Sequence, residues 1–207
     1  MYSNAFIYLF NIPNIGCWMG ASPETLVKVN DGKFKTMALA GSKLEYQEWN
    51  DKEKEEQKIV ADYIANILEG YNFDRIKVKG VQTISAGPIQ HLRTHYEAAI
   101  GENNPMDIAL NLHPTPAVCG IPKDEVKKYI LAHEGFDREL YSGFIGVKDS
   151  GNFDSFVNLR CMRLYKDRIQ LFAGGGIMAE SNPEIEWNET QTKLQTLMKV
   201  MKDVREE

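Results

Sequence analysis

The chain has 207 residues, 43% of them hydrophobic and 26% charged, with a formal net charge of −5. Those are the proportions of an ordinary globular protein with one sizeable core or two small ones. Acidic and basic residues are interspersed, so no basic footprint for nucleic acid is present, and no apolar run nears the roughly 20 residues of a membrane span. Met1-Tyr2-Ser3-Asn4 lacks the basic region of a signal peptide. The cysteines Cys17, Cys119 and Cys161 are odd in number and far apart, which suits reduced thiols in a cytoplasmic protein.

In chain order, Ala5–Phe10 and Cys17–Met19 read as strands joined by an Asn/Pro/Gly-rich turn. Strands follow at Thr25–Val29 and Phe34–Leu39, with Asn30-Asp31-Gly32 as hairpin chemistry. Asp51–Leu68 keeps a 3.6-residue apolar period and stops at Gly70. Ile76–Ile84 alternates as a strand. Short helices are predicted at Leu92–Ala99, Met106–Leu112 and Lys123–His133. Strands are predicted at Phe144–Val147, Phe153–Tyr165 and Arg168–Ala173, then a helix from Glu184 to Val204 with Asn182-Pro183 as cap and first-turn proline. Strands at both ends with helices between predict an α+β fold of mixed α/β layers in a single domain, 1–207. The first strand has almost nothing before it, which fits either a paired edge strand or the C-terminal part of a longer chain.

Glu53 and Glu56 open the first long helix, and Glu186 and Glu189 open the last. Helical positions i, i+3 and i+7 share a face, so Glu186, Glu189 and Lys193 point the same way, shortly after Gly174-Gly175-Gly176. Two such pairs can hold one hard cation: Mg²⁺ takes a carboxylate or two and keeps waters, so one glutamate of each pair can be a direct ligand and the other a partner for a bound water. Either pair alone is equally a set of glutamates complementing a helix dipole. Three successive glycines weaken a strand but offer bare N–H groups to an anion; a bulge is the ordinary alternative. Arg160 and Lys193 are candidate carboxylate contacts, although each alone reads as a surface charge. Glu24 follows a strand in turn-forming sequence; desolvated, it would have a raised pKa and serve as a general acid, and exposed it would do neither. His91 suits a structural role as well as a catalytic one. The four histidines form no metal-spaced cluster, and no nucleophile elbow or phosphate loop is present.

Together the motifs resemble the chorismate-utilising enzymes, which include isochorismate, salicylate, anthranilate and aminodeoxychorismate synthases. The resemblance runs in order through Gly20–Glu24, Leu39–Ser42, Asp51–Glu56, His91-Leu92, Leu112–Pro122, Arg138–Gly143, Val157–Arg160 and Phe172–Lys193. His113-Pro114-Thr115-Pro116-Ala117-Val118 and Phe136–Tyr141 look like isochorismate synthase rather than the ammonia-using members. The resemblance implies an anthranilate-synthase-like chorismate-binding fold, lacking its N-terminal strands, and a Mg²⁺ site. Glu56 and Glu189 match direct metal ligands, and Glu53 and Glu186 match water-mediated ones. Glu24 matches the acid that protonates the departing C4 hydroxyl, and His91 a histidine near the leaving side. Gly41 and Ser42 match a segment lining the substrate ring; Thr115, Tyr141, Arg160, Gly174, Gly175, Gly176 and Lys193 match substrate-contacting positions.

Two departures stand out. Relatives usually carry histidine where this chain has Gln57. Their general-base lysine precedes the matching region, so the chain is expected to be the C-terminal portion of a longer family domain, impaired alone and able to self-associate through exposed strand edges. A non-catalytic chorismate- and Mg²⁺-binding fragment, or an anthranilate or aminodeoxychorismate synthase component, are the alternatives.

Overall fold

The computed structural model describes residues 5–86 and 89–203; Met1–Asn4 and the predicted helix end at Val204 lie outside them. The strands are β1 (Phe6–Ile12), β2 (Gly16–Ser22), β3 (Thr25–Asn30), β4 (Lys33–Leu44), β5 (Lys77–Ala86), β6 (Ile89–Ala99), β7 (Phe144–Asp149), β8 (Asn152–Val157), β9 (Cys161–Leu164) and β10 (Ile169–Leu171). The helices are α1 (Asp51–Glu69), α2 (Pro105–Leu112), α3 (Lys123–His133) and α4 (Pro183–Asp203). They form a four-stranded sheet, β1-β2-β9-β10, and a six-stranded sheet, β5-β6-β4-β3-β8-β7, in which every pairing is antiparallel. The α+β expectation holds.

Local chemistry explains most element boundaries. Asp31 and Gly32, at φ 50° and 73°, supply the left-handed pair that a two-residue β3–β4 hairpin requires. Asn50 caps α1 with a reciprocal capping box to Glu53, and Val60, Ile64 and Leu68 lay one stripe on Phe34, Ala38 and Tyr96 of the six-stranded sheet. Each such fully buried aliphatic side chain contributes about 2 kcal/mol. A second cluster, Tyr8, Trp18, Tyr141, Cys161 and Phe172, lies on the four-stranded sheet. Asn182 Oδ1 accepts from Glu184 N and Ile185 N at 3.0 and 3.2 Å, which starts α4 at Pro183 as its sequence predicts.

Two expectations are corrected. Leu92–Ala99 is not a helix but most of β6, paired on both sides by β4 and β5. Leu92, Thr94 and Tyr96 are buried at a spacing of two, and that pairing overrides the helix-favouring Glu97-Ala98-Ala99. Phe153–Tyr165 is not one strand but two, β8 and β9, in different sheets. The chain breaks at Asn158-Leu159-Arg160, where Arg160 adopts φ 48°. The other crossing between sheets is Ser22–Thr25, and these two adjacent crossings place site residues at one junction. Among the described residues no helix is long and apolar enough to cross a membrane, and β1 is an edge strand with Ile7 and Leu9 exposed.

Candidate functional site

A bulge in β4 organises one side of the site. The register with β6 shifts between Ala40 and Ser42, leaving Gly41 at φ 70°. A Cβ at Gly41 would stand 2.8 Å from Glu53 O, so only glycine lets α1 approach this closely. Three backbone groups at the bulge find specific partners. The Ala40 N–H donates to Gln57 Oε1 at 2.9 Å, the Gly41 N–H meets the Glu56 carboxylate, and the Gly41 carbonyl lies 3.3 Å from His91 Nδ1. Gln57, 1% exposed, also donates to Ala38 O and Thr94 Oγ1 at 3.3 and 3.2 Å. Gln57 therefore braces the bulge.

The glycine run faces it. Segment 172–178 passes between the N-terminal turns of α1 and α4. A Cβ on Gly175 would lie 3.7 Å from Glu186 Oε2 and 3.8 Å from Glu189 Oε1, and one on Gly176 would lie 2.7 Å from Glu56 Oε1. Gly174 has no room for a Cβ either, because Tyr141 Oη would be 2.7 Å away. Lys193 Nζ bonds Gly174 O at 3.0 Å and Glu189 Oε1 at 2.6 Å. Glu186, 5% exposed, accepts from Ser181 Oγ at 2.6 Å and from Lys52. Burial, and then the neighbouring Glu189 charge, raise the Glu56 pKa, against the pull of the Gly41 N–H. Burial pushes the Lys52 ammonium toward neutrality, but Glu186, with Glu56 and Glu189 behind it, holds its pKa above the ordinary lysine value. Glu56, Glu186 and Glu189 thus come together; Glu53 stands one turn before Glu56, tied into its capping box.

Glu24 sits at the first crossing between sheets, 3% exposed, with its carbonyl accepting from Val157 N at 3.0 Å. Burial alone pushes its carboxyl up to about 8, so the acid form prevails at neutral pH. At the second crossing, Arg160 Nη2 lies 3.1 Å from His91 Nε2, and His91 Nδ1 lies 3.1 Å from Ser42 Oγ. Tyr141 is stacked on Phe172, and burial pushes its hydroxyl up to about 12. Thr115 stands apart: its carbonyl caps its own turn at Val118 N and Cys119 N, and its Oγ1, buried, has no hydrogen-bond partner among the described residues.

Hard carboxylate oxygens from two helices, already neutralised by lysines, are a donor set that fits Mg²⁺ rather than a soft metal. Among the described residues no group of three or more His, Cys, Asp or Glu side chains is placed as it stands to hold a metal ion; Lys52 and Ser181 take up Glu186, and Lys193 takes up Glu189. The sequence reading passed over Lys52 and Ser181. A lysine in the first turn of a helix opposes the dipole there, and that mismatch was the available signal. Gly176→Ala tests the arrangement. The obstructed atom ends a flexible side chain, so stability in urea is expected to change by less than about 0.5 kcal/mol. Mg²⁺ affinity, read by calorimetry, is expected to fall about tenfold or more as Glu56 is displaced.

A family model described as chorismate binding enzyme matches residues 1–202. Isochorismate synthase EntC of Escherichia coli (strain K12) is 34% identical over 95% of this chain and 54% of its own length. The structure of MenF, the menaquinone-specific isochorismate synthase from Escherichia coli, superposes with a TM-score of 0.82 at 28% identity, covering 94% of this chain and 48% of that one. Anthranilate synthase component I from Streptococcus pneumoniae TIGR4 superposes at 0.77 and 25% identity, over 92% and 45%. The chain spans about half the length of the curated relatives it matches. Matched along nearly its whole length in sequence and in fold, this chain belongs to the chorismate binding enzymes.

Proposed function

We propose that this chain carries the site of an isochorismate synthase, which with Mg²⁺ adds water at C2 of chorismate as the C4 hydroxyl departs. The observation that carries the reading is the meeting of α1 and α4 carboxylates across bare glycine backbone. Chorismate is a dianion, and carboxylates so placed repel it unless a divalent ion lies between them. Glu56 and Glu189 would hold that ion directly, with Glu53 and Glu186 on its waters; bound, it would neutralise the ring carboxylate and fix its orientation. Arg160, Lys193 and the Gly174–Gly176 N–H groups suit the substrate's carboxylates. Glu24, protonated at neutral pH, gives its proton to the C4 oxygen, which leaves as water while the ring double bonds shift. The attacking water must lose a proton to a base.

Incubation of the chain with chorismate and Mg²⁺, with chromatographic detection over hours, tests the reading. Isochorismate that disappears on adding EDTA supports it. An amino product formed with ammonium salts, or chorismate that is neither bound nor changed, refutes it.

A further inference from the structure

His91 has no part in the steps above, yet both its ring nitrogens are engaged. It lies opposite Ser42 in the β4–β6 ladder and is 7% exposed. Nε2 is 3.1 Å from Arg160 Nη2; Nδ1 is 3.1 Å from Ser42 Oγ and 3.3 Å from Gly41 O. A guanidinium has donors only and keeps its charge in proteins. Nε2 must therefore be the acceptor, and the single ring proton sits on Nδ1, where Gly41 O and Ser42 Oγ accept it. Arg160 reaches this contact from φ 48°, a conformation uncommon for a residue with a side chain. Ala21 N, donating to Arg160 O at 3.1 Å, pins that backbone.

We propose that His91 is a positioning residue: a neutral acceptor, fixed in one tautomer by the β4 bulge, that aims the Arg160 guanidinium at an anionic substrate and transfers no proton. What Arg160 meets rests on the chorismate reading; the tautomer does not. A second proton would place an imidazolium against Arg160, with Lys193 also facing it, in a buried space. Burial first, then those two charges, hold the His91 pKa down to about 3 against the opposing Gly41 carbonyl.

Nitrogen-15 NMR of the histidine rings in the whole chain reads the tautomer directly. His91→Gln assigns the signal by removing it, leaving those of His95, His113 and His133. A protonated Nδ1 and bare Nε2, unchanged from about pH 5 to about pH 8, where a free imidazole titrates, are expected. A proton on Nε2, or titration inside that window, overturns the proposal. Chorismate affinity with Mg²⁺ supplies the second arm. His91→Gln keeps an oxygen that can accept from Arg160 and is expected to retain affinity within about threefold, whereas His91→Leu loses about tenfold or more. Equal losses in two variants with unaltered circular dichroism overturn the positioning role. A wild-type chain that binds no chorismate refutes the functional reading instead, and the NMR result still decides the tautomer.

Discussion

Glu24→Gln is expected to lower isochorismate formation about 10²–10⁴-fold, the usual worth of a positioned general acid, while making the protein more stable in mild alkali. Both effects come from the same burial. The Glu24 carboxyl titrates near 4.5 in an unfolded chain and is pushed up to about 8 in the folded one. Between those values the folded state holds a proton that the unfolded state has released. Its contribution to stability is thus complete below about pH 4.5 and drains away as pH rises toward 8, at roughly 1.4 kcal/mol per pH unit. Glutamine is nearly isosteric with the protonated acid and never ionises. The variant should follow the wild type in urea unfolding at pH 5 and exceed it increasingly by pH 8. Parallel stability curves would mean that Glu24 is solvated, and retained activity would mean that another group supplies the proton.

Gln57→Leu should cost about 3 kcal/mol of folding stability, since it keeps the volume of the side chain but abandons three buried hydrogen bonds. The Ala40 N–H is the decisive loss. That group lies where the β4–β6 register shifts, between Ala40 and Ser42, and its hydrogen bond goes to the amide. The same relaxation would move the Gly41 N–H away from Glu56 and its carbonyl away from His91, and chorismate binding should weaken together with stability. Urea midpoints and calorimetry on one preparation test both. A loss below about 1 kcal/mol would show that the bulge supports itself.

The helices were legible because their signals are local. The Asp51–Leu68 stripe, the Asn182-Pro183 cap and the Lys123–His133 segment each need only neighbours in sequence. β6 was not, because Leu92–Ala99 mixes helix-favouring residues with an alternation that only β4 and β5 on either side make decisive. The break at Arg160 was hidden for a related reason: its left-handed backbone is stabilised by Ala21, far away in the chain. At the site, spacing put Glu186, Glu189 and Lys193 on one face. The family resemblance, not periodicity, brought Glu24 and His91 into the set. The sheet's irregularity at Gly41, and with it the role of Gln57, depends on packing between α1 and β4 that no sequence window contains.

Carboxylates from α1 and α4 sharing one Mg²⁺ with the substrate are the centre of the proposed function. Titration calorimetry of Mg²⁺ into the chain, with and without chorismate, and in Glu56→Gln and Glu189→Gln, addresses that most directly. A single site is expected, tightened by chorismate and weakened at least about tenfold by either substitution, although the two residues lie on different helices. Mg²⁺ binding indifferent to both substitutions, or chorismate binding as tightly in EDTA, would contradict it.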